Sequence, residues 1–214
     1  MNRGSLASLE MRDRISLSAA DFIGAGTDRE CYRHPSHPEY CIKILRPERH
    51  PRRFRREIRY YRRLAFRRID WQRMTRYHGM VQTNLGQGAI FDLVLDHDGG
   101  ISKSLAYYLQ RDEPDFDSWA IRELNALARD FYERWIVFHD LNPNNLLVQR
   151  LGGGSTRLVV IDGIGHNHFL SVANYSPAFA RRKLVRVWNR RFRQWYAPYP
   201  AVLAGLERFE NPNA

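Results

Sequence analysis

Apolar residues fall first into short alternating runs and later into helical stripes. Ile15, Leu17, Phe22 and Ile23 lead into Gly24-Ala25-Gly26, and Cys31-Tyr32 follow. The turn-rich segment 34–39 (HPSHPE) separates these from residues 40–45 (YCIKIL), a short apolar run bounded by chain-bending residues. The pattern predicts a small antiparallel meander. From Pro51 to Phe66, Phe54, Ile58, Tyr61 and Ala65 recur at helical spacing, with arginines on the other faces, and predict an amphipathic helix. Runs at 77–83 and 89–95 flank Asn84-Leu85-Gly86-Gln87-Gly88 and predict a hairpin. Residues 1–14 read as a loosely held polar tail.

The second half opens on a short helix, 102–110. A longer one, capped by Asp117, ends near Trp135 and buries Leu124, Leu127, Phe131 and Trp135. Three short apolar runs, 136–138, 146–148 and 158–161, then read as strands with polar residues at their ends. Residues 179–196 form another amphipathic helix. Leu184, Trp188, Phe192 and Trp195 lie on one side, which makes its aromatics core rather than a base-stacking platform.

Composition narrows the class. Apolar residues make up 43% of the 214, enough for a real core, and no run is long enough to cross a membrane. The N-terminus shows no secretory pattern. Two cysteines, Cys31 and Cys41, cannot make a disulfide framework; buried thiols in a reducing cytoplasm are the expectation. The histidines show no zinc-binding spacing. The net charge of +11 comes from 34 basic residues, of which only Lys43, Lys103 and Lys183 are lysines. Such a balance suggests an anionic partner, or a compositional bias without function. Arginine dominates residues 46–76 and recurs along 181–193. These stretches read as solvated helix faces, or as surfaces for an anionic acceptor or a membrane.

Four features carry chemistry when taken in order. Gly24 and Gly26 sit at a strand end, where backbone amides can approach phosphate oxygens; alone they mark only a tight turn. Lys43 alternates with Ile42 and Ile44, a compact point charge in a chain that otherwise uses arginine. Glu57 lies on or beside the apolar stripe of its helix and needs a cation there; Lys43 is the obvious partner. Phe138-His139-Asp140-Leu141-Asn142-Pro143-Asn144-Asn145 then packs polar residues between apolar runs, and Asp162 follows at a strand end. Asn145 and Asp162 are hard oxygen ligands of the kind Mg²⁺ takes beside phosphates, which leaves Asp140 to orient or deprotonate a hydroxyl.

This order, GxG, Ile-Lys, helical Glu, HDLNPNNLLV and VVIDG, resembles the protein-kinase-like fold from about Ile15 to Gly163. More narrowly, DRECY (28–32), CIKI (41–44), EIRYY (57–61), RYHG (76–79) and DGIG (162–165) resemble the bacterial YrbL family, described as kinase-like and as part of the PhoP regulatory network. The resemblance implies an α+β, two-lobed protein-kinase-like fold with a shortened C-terminal lobe. Residues 15–95 would form an N-terminal lobe of antiparallel sheet plus one helix. Residues 96–214 would form a reduced helical C-terminal lobe with the catalytic and metal-binding loops. It implies ATP and Mg²⁺ as cofactors: Gly24 and Gly26 over the nucleotide, Lys43 on its phosphates and paired with Glu57, and Phe91, Leu93 and Leu95 along the hinge beside adenine. Asp140 would be the catalytic base, and Asn145 and Asp162 the metal ligands.

There are departures from the protein-kinase pattern. Arg29 replaces the third glycine of the loop and could bring a cation to it. Asn142 stands where protein kinases carry a lysine, which weakens the case for a protein Ser/Thr substrate. Gly163 replaces a phenylalanine. Few residues follow Asp162, so the substrate platform is reduced, rebuilt or supplied by a partner. The expectation is a cytoplasmic ATP-dependent phosphotransferase with an unidentified acceptor. The alternatives are a non-catalytic pseudokinase that binds nucleotide or a partner, and, last, an Arg-rich nucleic-acid binder, for which no DNA-reading motif is present.

Overall fold

The computed structural model describes residues 14–67, 69–111, 113–165 and 176–209; the expected polar tail lies almost wholly outside them. Five strands form an antiparallel sheet in the order β1-β2-β3-β5-β4: β1 (Phe22–Ala25), β2 (Arg29–Arg33), β3 (Tyr40–Leu45), β4 (Tyr77–Thr83) and β5 (Gly86–Asp92). The expected meander forms, but β1 starts only at Phe22. Ile15 makes a single bridge to Thr83, and buried Leu17 is held by Asn84 on both backbone groups. The second hairpin turns on Asn84-Leu85 alone, because Thr83 already pairs with Gly86. Its return strand ends at Asp92, short of the expected Leu95: the Asp92 carboxylate accepts the Arg76 amide at 2.7 Å, and one further bond, from the Leu93 amide to the Glu39 carbonyl, closes the pairing with the turn before β3.

Helix α1 (Arg52–Phe66) buries Phe54, Ile58 and Tyr61 as expected. Ala65 is exposed, and Leu64 and Tyr60 complete the apolar face. The Tyr60 hydroxyl accepts the Val137 amide at 2.8 Å, tying α1 to the segment that leads into His139; burial pushes this phenol up to about 12.

Below lies a three-stranded sheet, β6 (Lys103–Ser104), β7 (Leu146–Gly152) and β8 (Ser155–Val160), with helices α2 (Leu105–Leu109) and α3 (Phe116–Glu133). Ser104 caps α2 through its hydroxyl. α3 starts after Asp115, in the left-handed region at φ 62°; Asp117 instead sits in the first turn, where a negative charge suits the helix dipole. Leu124, Leu127 and Phe131 are fully buried, each worth about 1.5–3 kcal/mol of transfer free energy. Trp135 falls beyond the helix end at φ 44°, half-buried under the Arg67 guanidinium. Residues 136–138 are buried but form no strand; Phe138 makes one bridge, to Ile164.

Near the C-terminus, α4 (Pro177–Val187) continues through a π-helical turn at Trp188–Phe192 and a last turn at Arg193–Trp195, before α5 (Pro200–Gly205). Trp188, Phe192 and Tyr196 are buried as core residues, and Phe192 stacks on Tyr196 at 4.9 Å. One apolar cluster runs from Phe54 and Phe91 through Phe131 and Leu146 to Trp188, so sheet and helices share a core. Among the described residues no helix is long and apolar enough to cross a membrane.

Candidate nucleotide cleft

A cleft of about 1060 Å³ opens between the five-stranded sheet and the loops that follow residues 138 and 161. The end of β1 and the start of β2 form its roof, with Ile23, Gly24, Gly26 and Cys31 on the wall. The Gly26 amide donates to the Arg29 carbonyl at 2.8 Å, closing the turn. A Cβ at Gly24 would meet nothing within 4 Å, and one at Gly26 only the Arg29 carbonyl at 3.8 Å. The chain's own packing therefore does not require these glycines, and the space beside them is open to a ligand.

Lys43 is buried on β3, opposite Ala89 in the register. Its ammonium donates to the Ile161 carbonyl and lies 4.8 Å from the centre of the Phe91 ring. It does not pair with Glu57. Arg29 does: Nη1 lies 2.8 Å from Glu57 Oε2, while Nη2 of the same guanidinium donates to Asp162 Oδ1. Lys43 runs out toward residue 161, whereas Arg29, at the start of β2, reaches between α1 and the Asp162 loop and carries a fork that can serve two carboxylates at once.

These charges set one another. Burial pushes the Glu57 carboxyl up to about 7 against the pull of Arg29, and the Asp162 charge adds to the rise. Burial also works against ionised Asp162, but Arg29, Lys43 and the Gly163 amide at 2.7 Å hold its carboxyl well below the usual range. Of the two carboxyls, Asp162 is the more acidic.

Residues 139–145 are built as a series of turns. Asn142 Oδ1 accepts the Asn144 amide at 2.9 Å, and Pro143 starts a 3-10 turn. Asn142 Nδ2 donates to Asp140 Oδ1 at 2.9 Å and fixes that carboxylate. Asn145 Nδ2 donates to the Asp140 carbonyl at 3.1 Å. The Gly163 carbonyl accepts from the His139 amide at 2.8 Å and from the Asp140 amide at 3.3 Å, so the two loops are joined backbone to backbone. Gly163 has φ +81°, and a Cβ there would sit 1.8 Å from the Asp140 carbonyl oxygen. Burial holds the His139 imidazole below its ordinary value, in the neutral form.

Of the expected hinge, Leu93 lines the cleft together with Val94; Phe91 is fully buried and Leu95 pairs with the cleft-lining Ile101, but neither borders the cleft itself. Gly24, Gly26, Lys43, Glu57, Asp140, Asn145 and Asp162 all border the one cleft. Sequence reasoning missed the double ion pair of Arg29 and the grip of Asn142 on Asp140. The replacement of a loop glycine by Arg29 was the available signal for the first. Cys31 and Cys41 also line the cleft as free thiols, and the Cys41 thiol donates to the Asp92 carbonyl at 3.7 Å.

The donor set suits a hard divalent ion on one condition. Asp162 and the Asn145 amide oxygen offer the right ligands, but Arg29 holds Asp162 Oδ1 and would have to give it up for the carboxylate to turn both oxygens to an ion.

Comparison with known proteins agrees with this geometry. The profile of a family described as PhoP regulatory network protein YrbL matches residues 15–196. A protein of Escherichia coli (strain K12), "Uncharacterized protein YrbL", is 33% identical over 201 residues, covering 92% of this chain and 93% of the relative. The Shigella flexneri protein of the same description matches to the same extent. Among solved structures, the PknI kinase domain of Mycobacterium tuberculosis superposes with a TM-score of 0.51 at 17% identity, covering 85% of this chain and 77% of that one. Its C20A_R136N double mutant gives 0.52 at 17% identity, over 88% of each chain.

Proposed function

Since the chain belongs to the YrbL family, that of the PhoP regulatory network protein, and has a protein-kinase-like fold with a small C-terminal lobe, we propose that it is a cytoplasmic ATP-dependent phosphotransferase acting at this cleft. The observation that carries the reading is the convergence of Lys43, Asp140, Asn145 and Asp162 on one cavity that is also lined by two unobstructed glycines, Gly24 and Gly26.

In this reading adenine lies along Leu93 and Val94, with Phe91 and Leu95 supporting that wall. Gly24 and Gly26 cover the phosphates, and Lys43 turns from the Ile161 carbonyl to the α and β phosphates, a short move for a flexible point charge. Asn145 and Asp162 would hold Mg²⁺, which neutralises phosphate charge when bound. Asp140, fixed by Asn142, accepts the proton of an acceptor hydroxyl, and that oxygen takes the terminal phosphoryl group as ADP leaves. Positioning and charge account for the catalysis. Arg49, Arg52 and Arg53 border the same cleft as Asp140 and Asn142, which supports an anionic acceptor. The Arg-rich turns at 181–193 leave a membrane-surface contact as a further reading of the same charge.

One observation favours a second reading, a nucleotide-binding regulator without transfer: Asp162 is engaged by Arg29. Thermal denaturation with AMP-PNP and Mg²⁺, followed by phosphoryl transfer from ATP across acceptor classes, separates the two. A nucleotide-induced rise in Tm with transfer supports the phosphotransferase, and a rise without transfer supports the regulator. No rise removes both.

A further inference from the structure

Arg29 is the least expected residue in the cleft. Its side chain is 14% exposed, its guanidinium spans Glu57 and Asp162, and it lies 5.5 Å from the centre of the Phe54 ring. It is also part of the loop beside the phosphate position, since its carbonyl closes the turn with the Gly26 amide. Thus one residue links the loop, α1 and Asp162.

We propose that Arg29 is a positioning residue that acts as a resident cation: in the nucleotide-free chain it occupies the Asp162 carboxylate and excludes a divalent ion, and it gives that carboxylate up when nucleotide phosphates arrive. This rests on the reading of the cleft as a nucleotide site. The argument is one of charge and place. The guanidinium sits directly on the Asp162 carboxylate, at Oδ1, which also accepts the Gly163 amide, so a divalent ion arriving at that carboxylate meets a resident positive charge and finds one of its two oxygens taken. Buried carboxylates do not stay ionised without a cation, so Asp162 exchanges one partner for another rather than standing empty. Phosphates beside Gly24 and Gly26 would offer Arg29 the same planar, two-pronged recognition that it gives the carboxylates. Metal affinity without nucleotide is then reduced by the fraction of chains in which Arg29 has let go. Loading becomes ordered, with the nucleotide first and the metal with it or after it.

The test is Mn²⁺ titration of the full chain, with free ion read by electron paramagnetic resonance, for wild type, Arg29→Gln, Arg29→Lys and Arg29→Gln/Asp162→Asn. Circular dichroism checks folding. Without nucleotide, Arg29→Gln is expected to bind Mn²⁺ at least about tenfold more tightly than wild type, the inverse of a released fraction of about one tenth. The double variant should lose that gain, and saturating AMP-PNP should close the gap between wild type and Arg29→Gln. Should Arg29→Gln fail to fold, Arg29→Lys decides, because a single ammonium cannot span both carboxylates and Mn²⁺ binding should still tighten severalfold. Equal or weaker Mn²⁺ binding in the folded variant overturns the proposal. Loss of AMP-PNP binding in every chain would instead overturn the nucleotide reading, while the comparison without nucleotide still decides the role of Arg29.

Discussion

Arg29 and Glu57 form the ion pair that joins the five-stranded sheet to helix α1, at 2.8 Å. The pair is buried and shares its cation with Asp162, so removal of the cation leaves two carboxylates facing each other in a region of low water access. Arg29→Ala is expected to destabilise the chain by about 3–5 kcal/mol, the usual result of breaking a buried pair from one side. Urea denaturation of wild type and variant at neutral pH measures it; a change below about 1 kcal/mol would show that the pair is not structural.

Lys43 plays a different part. Among the described residues its ammonium donates to the Ile161 carbonyl and lies over the Phe91 ring, with no carboxylate in direct contact. Lys43→Met is therefore expected to fold and to weaken AMP-PNP binding at least about tenfold, the loss of one charge-assisted contact. Fluorescence titration with a labelled nucleotide reads the affinity, and unchanged binding would remove Lys43 from the phosphate site.

Asp140 and Asp162 should separate by assay. Asp140→Asn keeps the Asn142 contact and is expected to bind nucleotide normally while transfer falls about 10²–10⁴-fold, the scale of a lost general base. Asp162→Asn should lose the Mg²⁺ dependence of nucleotide binding. Equal transfer by Asp140→Asn and wild type would mean that another group takes the proton.

Much of this site could be read from the sequence, and the part that could not has a physical cause. Lys43, Asp140, Asn145 and Asp162 lie in short, locally determined segments, where alternation or a turn motif sets the direction of the side chain. The ion pairs were less legible. Lys43 and Glu57 carry opposite charges, but partner choice depends on side-chain reach in three dimensions, and Arg29 won by forking between two acceptors. The same limit applies to the fold. The period of α1 showed its buried face except at Ala65, where Leu64 packs instead. Residues 136–138 are as apolar as a strand, yet the Tyr60 hydroxyl takes the Val137 amide and no ladder forms.

Gly163→Ala should be among the most damaging single changes in the chain. The left-handed φ of +81° alone disfavours any side chain, and the new Cβ would meet Asp140 backbone, which cannot swing aside as a flexible side chain could. The expected loss exceeds about 3 kcal/mol. Thermal denaturation tests it, with Gly153→Ala as control: its φ is also positive, but a Cβ there meets nothing within 4 Å.

Acid should find a weak point at Asp96. This carboxylate is buried, yet Ser102 at 2.5 Å and the Arg150 amide and guanidinium at 2.9 and 2.6 Å hold its pKa below the ordinary 3.8 against the effect of burial. A depressed folded value stabilises above the unfolded value and loses that contribution as pH falls through the folded one. Asp96→Asn is thus expected to cost about 1–3 kcal/mol at pH 6–7, for hydrogen bonds weakened in a buried site. The gap from wild type should narrow below about pH 4. A gap that stays constant down to pH 3 in denaturant titrations would refute it.

The bond pattern between the loops has a consequence for how such a site ages. Because the Gly163 carbonyl takes two amides from the His139–Asp140 segment, and Gly165 donates back to Val137 at 2.7 Å, Asp140 and Asp162 ride on one stitched seam. Side-chain substitutions elsewhere leave these backbone bonds in place, so the site ages as a unit: Asp140 and Asp162 hold their relative position for as long as the seam holds.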